Sequence, residues 1–85
     1  MKHAGPAALD AFEPLLARVR AAAPLKEKSR GVFYWKSKAF LHFHEDPAGF
    51  FADIRSADGR DFDRLQVDEP AGAEELIRRV AARAT

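Results

Sequence analysis

Two histidines one residue apart, His42 and His44, are the side chains of this chain best placed by type and spacing to do chemistry. In a strand, side chains repeat every second residue, so both imidazoles would leave the same face, and imidazole is both a transition-metal ligand and a proton carrier near neutral pH. The register set by the flanking turns puts Asp53 across from His42, with Arg64 beyond it. A carboxylate there would serve as a third ligand or would orient a ring. Two features oppose a cation site: Arg64 beside Asp53 argues for an ordinary ion pair, and His3 is expected on a loose N-terminus. His42, His44 and Asp53 therefore stand as a metal or acid-base candidate beside a plainer reading, a His-Asp hydrogen bond that stabilises the sheet.

A second group of residues points to polyanions. Lys26, Lys28, Arg30, Lys36 and Lys38 surround Tyr34 and Trp35, the mixture of cations and rings that binds single-stranded nucleic acid. The net charge of +1 hides a gradient: eight Lys or Arg against three acids up to His44, then six Arg against ten acids. No block of consecutive basic residues accompanies it. The plain alternative is a hairpin with a solvated turn and one core aromatic.

Other chemistries lack their residues. With no Cys there is no disulfide, thiolate zinc site or cysteine nucleophile. Ser29, Ser37 and Ser56 sit in connectors or turns rather than in a nucleophile elbow, and the five glycines never cluster into a phosphate loop. No catalytic residue and no cofactor is expected. The apolar runs are too short to span a membrane and no secretory signal pattern opens the chain, so a soluble cytoplasmic protein is expected.

The elements that position these residues follow from periodicity. At 85 residues the chain reads as a single α+β domain, 1–85, with residues 1–8 expected to fray. Leu9, Phe12, Leu16, Val19 and Ala23 form a helical stripe that Pro24 ends, the helix being either kinked or starting at Pro14. Leu25 to Arg30 reads as a charged connector. A second helix follows Pro70, with Ala73, Leu76, Ile77, Val80, Ala81 and Ala84 on its stripe.

Between the helices lies the sheet, where seven of the nine aromatic residues fall between Phe33 and Phe51. Asp46-Pro47-Ala48-Gly49 is a turn that pairs Glu45 with Phe50, hence Phe43 with Ala52 and Leu41 with Ile54. Asp58-Gly59 is a hairpin signal that sets Ala52 opposite Leu65 and Phe50 opposite Val67. Both turns put Leu41, Phe43, Phe50, Ala52, Ile54, Leu65 and Val67 on one buried face. The expected architecture is a four-stranded antiparallel meander with an N-terminal and a C-terminal helix on one side, in the order α-β-β-β-β-α.

The opposite face then displays Phe40, His42, His44, Phe51, Asp53, Arg55, Phe62 and Arg64. Exposed rings on a small domain mark a partner surface, here for a second copy in a homodimer or for another protein. The first strand adds either Val32, Tyr34 and Lys36 or Phe33 and Trp35 to this face, depending on whether the turn at Lys36-Ser37-Lys38 has three loop residues or two. Binding through the open face is the leading reading of function, with nucleic-acid binding and a metal-assisted enzyme as alternatives.

The run PLKEKSRGVFYWKSKAFLHFHEDPAGFFADIR, preceded by an alanine-rich helix, resembles the core of the small bacterial YjbR or MmcQ-like proteins. The corresponding features are the Pro24 to Lys28 connector, the Val32 to Trp35 strand, the Lys36 to Lys38 turn, Ala39-Phe40 and the acidic Glu45-Asp46. The resemblance covers about half the chain. It implies an α+β sheet domain for which nucleic-acid binding has been suggested, and it carries no catalytic residues to this sequence.

Overall fold

The computed structural model describes residues 1–84. Two prolines punctuate the N-terminal third, each in the first turn of a helix where its missing N–H is not needed: α1 is Pro6–Ala11 and α2 is Glu13–Ala22. Of the two arrangements open to the sequence, the kinked one is found. The Pro14 ring would meet the Asp10 carbonyl of a continuous helix, so the chain turns at Phe12, which has a ψ of 17°. The Phe12 ring stacks on Phe50, with centroids 4.1 Å apart.

The strands are β1 Lys2–His3, β2 Lys26–Ser29, β3 Val32–Trp35, β4 Lys38–Asp46, β5 Gly49–Arg55 and β6 Phe62–Gln66. They form one antiparallel sheet in the order β2-β3-β4-β5-β6, and β1 pairs with β4 beyond the end of β3. The fold is α+β, with six strands rather than the expected four and three helices rather than two. Both additional strands lack the apolar alternation that marks a strand in sequence. The supposed connector is the edge strand β2, whose KEKS sequence holds lysines at an edge where charge deters further pairing.

The N-terminus departs from expectation too. Instead of fraying, Lys2 and His3 pair with Glu45 and His44. The Ala4 N–H donates to the Phe43 carbonyl at 3.0 Å, and the Gly5 N–H donates to Glu45 Oε2 at 2.5 Å.

The expected register holds across β4, β5 and β6: Leu41 faces Ile54, His42 faces Asp53, Phe43 faces Ala52, and Ala52 faces Leu65. The second hairpin reaches it by a different loop. Gly59 N–H donates to the Ser56 carbonyl and Ser56 N–H to the Asp61 carbonyl, so Ala57 to Arg60 form a four-residue loop with Gly59 at φ +77°.

Helix α3, Pro70–Arg83, buries Leu76 and Val80, while Ala81 of its expected stripe is exposed. These side chains join Leu9, Leu15, Leu16 and Val19 of α1 and α2 over Phe33, Leu41, Phe43, Phe50, Ala52 and Ile54 in one core cluster. Each fully buried large apolar side chain contributes about 1.5–3 kcal/mol, enough in sum to hold the roof on the sheet. Gly72 sets how closely α3 approaches: a Cβ there would lie 1.8 Å from the Gln66 carbonyl oxygen.

A β-bulge between β3 and β4 corrects one expectation. Phe33 pairs with Leu41 but Tyr34 pairs with Ala39, leaving Phe40 as the extra residue. Simple alternation would put Phe40 beside His42 on the open face. The bulge turns it into the core, where only 3% of it is exposed.

Candidate functional site on the open face of the sheet

Among the described residues every helix packs on one side of the sheet, and pairing arranges the side chains of the other side in rows. One row runs Val32, His42, Asp53, Arg64 across β3 to β6, and the next runs His3, His44, Phe51, Gln66 across β1, β4, β5 and β6. Arg55 and Phe62 form a third.

The structure brings together the histidines and acid expected here and adds one residue the sequence reading set aside. Because β1 fills the stretch of β4 beyond Val32, His3 lies directly opposite His44. Ring centroids are 4.7 Å apart for His3 and His44, 4.9 Å for His42 and His44, and 5.7 Å for His3 and His42. His42 Nδ1 lies 3.0 Å from His44 Nε2, and that same nitrogen lies 3.2 Å from Asp53 Oδ2. The other ring nitrogen of His44, Nδ1, is buried without a hydrogen-bond partner. Among the described residues, His3, His42 and His44 each bring one ring nitrogen to within 4.8 Å of the others.

Asp53 is the buried carboxylate of the face. Arg64 clamps it through two hydrogen bonds of 2.8 Å, Nε to Oδ1 and Nη2 to Oδ2. These bonds hold its carboxyl below the usual carboxylate range against the opposing effect of burial. Burial, followed by the neighbouring His44, holds His42 below the ordinary imidazole value, which favours the neutral ring.

Arg55 is not free: it donates to the carbonyls of Ala39 and Gly59 while lying over the Phe62 ring, 4.8 Å from its centroid. Phe62 is the exposed ring of the face, Phe51 is half-buried, and Phe40 is absent from it.

Lys26, Lys28 and Tyr34 of the basic-aromatic segment belong to the same surface. Glu27 reaches Arg20 of α2 with bonds of 2.7 and 3.0 Å, so Glu27 faces the helices; Lys26, paired with Tyr34, turns to the open side, and Lys28, the extra residue of a β-bulge, reaches it through the Tyr34 ring. Lys28 Nζ sits 4.1 Å from the Tyr34 ring centroid and Lys36 Nζ 5.2 Å from that of Trp35. The turn has two loop residues, Lys36 and Ser37, both at positive φ, and alternation from Val32 puts Tyr34 on the open side. Trp35 packs partly against the core. A depression of about 220 Å³ is lined by Pro24, Lys26, Lys28, Tyr34, Trp35, Lys36 and Ser37.

Two residues leave the expected basic set. Arg30 is bound to Asp10 and Glu13 at 2.5 and 2.7 Å and ties the β2–β3 turn to the first two helices. Lys38 stands opposite Trp35 at the start of β4, outside the depression. Among the described residues, Lys26, Lys28, Lys36 and Lys38 form no ion pair.

No helix among the described residues is long and apolar enough to cross a membrane. No protein-family model matches the chain, and no curated protein or solved structure matches it either, so the functional reading rests on this geometry.

Proposed function

We propose that the domain is a binding module whose open sheet face receives single-stranded nucleic acid. One observation carries the reading: the lysine edge and the ring-bearing face are parts of one surface, and Asp53, the acid among its rows, is already neutralised by Arg64. Unpaired cations at Lys26, Lys28 and Lys36 supply phosphate contacts, while Tyr34, Phe51 and Phe62 supply flat surfaces on which bases stack, at about 1–3 kcal/mol per base. An acidic polypeptide would use the charges but has no need of the rings. A second copy face to face would set cation against cation.

The test is fluorescence anisotropy of a labelled single-stranded oligonucleotide, with Trp35 emission as an internal probe. Affinity is expected to fall steeply with salt, by a log-log slope of about 0.7 for each phosphate neutralised, and to drop in the charge reversal Lys26→Glu with Lys28→Glu. Reversal of Arg18, which pairs with Glu74 on the helical side, is expected to leave it unchanged. Binding of poly-glutamate in place of the oligonucleotide would assign the face to an acidic protein. Concentration-dependent sedimentation without oligonucleotide binding would assign it to a second copy.

A further inference from the structure

We propose that His3, His42 and His44 form a binding site for a divalent transition-metal ion of the zinc class. The inference rests on the geometry of three imidazoles and not on the nucleic-acid reading.

An ion bound to imidazole nitrogens at about 2.0–2.1 Å holds neighbouring donors about 3.0–3.4 Å apart. His42 Nδ1 and His44 Nε2 already stand 3.0 Å apart, the edge of such a coordination polyhedron. The donor atoms of all three residues lie within 4.8 Å of one another. Closing the remaining gap falls to His3, which is exposed on a two-residue strand, so a change of side-chain torsion suffices.

His44 Nε2 has two neighbours, His42 Nδ1 and Asp53 Oδ2, and one proton to share between them. An ion accepts the lone pairs of His42 Nδ1 and His44 Nε2 together, and each neutral ring then carries its proton on its other nitrogen, Nε2 of His42 and Nδ1 of His44.

Asp53, already paired with Arg64, flanks the site. Its Oδ2 lies 3.2 Å from the donor nitrogen, near enough to join the ion, and Arg64 fixes the carboxylate in place. Nitrogen donors with one carboxylate and no thiolate suit Zn²⁺, Co²⁺, Ni²⁺ or Cu²⁺, whereas Mg²⁺ and Ca²⁺ prefer all-oxygen shells. Because the cluster lies on the uncovered face, the ion keeps a coordination position toward solvent.

The experiment is calorimetric titration of the untagged chain with Zn²⁺, with Mg²⁺ as control and no oligonucleotide present. One Zn²⁺ per chain is expected, with no response to Mg²⁺ and a loss of about tenfold or more in affinity for His3→Ala, a variant at an exposed position that leaves the core intact. In parallel, the ring resonances of all three histidines are expected to move together in NMR spectra as Zn²⁺ is added. Absence of saturable binding would overturn the site, as would affinity unchanged in both His3→Ala and His42→Ala. Shifts confined to His42 and His44 would overturn the three-histidine set. None of these outcomes depends on whether the face binds nucleic acid.

Discussion

At the scale of single residues, the structure separates side chains that alternation alone would treat alike. Phe40 and Phe62 were both expected on the open face, yet Phe40 is 3% exposed and Phe62 36%. Phe40→Ala is therefore expected to cost about 3–5 kcal/mol in chemical denaturation, and Phe62→Ala less than about 1 kcal/mol. Equal small costs for both would place Phe40 outside the core. The positions of His42, His44 and Asp53 were legible because strand period and turn register fix them. His3 was not, since two residues cannot show a period. The one available cue was Gly5-Pro6, which starts a helix and leaves the residues before it extended.

At the scale of elements, what the sequence hid was whatever lacked apolar alternation or a glycine to mark a turn. Strand β2 is held by ion pairs and hydrogen bonds instead of apolar contacts: Glu27 accepts from Arg20 and, at 3.0 Å, from the Gly31 N–H. The Arg20 hydrogen bond, with a smaller contribution from Gly31, lowers the Glu27 pKa below that of the unfolded chain. The associated stability is thus present above the unfolded value and is lost as pH falls through the folded one. Between neutral pH and acid, wild type is expected to lose about 0.5–1 kcal/mol more than Glu27→Gln does, measured by urea denaturation. An identical pH profile would remove Glu27 as the tether.

The β3–β4 turn could not be counted from sequence because Lys36 and Ser37 adopt φ of 52° and 69° without glycine. Replacing the pair by Asn-Gly is expected to stabilise the fold by about 1 kcal/mol. Gly72→Ala should do the reverse, by about 1–3 kcal/mol, as its methyl group meets the Gln66 carbonyl and pushes α3 off the sheet. Both are read from denaturation midpoints.

At the scale of the whole molecule, two turns carried most of the legible architecture. The turn around Pro47 and the loop containing Gly59 each fix the same alignment, so Leu41, Phe43, Phe50, Ala52 and Ile54 fall on the side that both amphipathic stretches must cover. The loop around Gly59 has another length than the dipeptide suggested, and the register survives because the paired positions stay opposite each other. What periodicity could not reveal was that the lysine segment is a strand of this sheet. As a strand, it joins Lys26 and Lys28 to the uncovered side of the sheet.

The proposed function requires that single-stranded nucleic acid contact the uncovered face of the sheet. Amide chemical-shift mapping with a single-stranded oligonucleotide at low salt tests it most directly. Perturbations are expected at Lys26, Lys28, Tyr34, His42, His44, Phe51 and Arg64, with Arg18, Glu74 and Arg78 on the helical side unmoved. Shifts concentrated on the helices, or no shifts at any residue of the sheet, would contradict it.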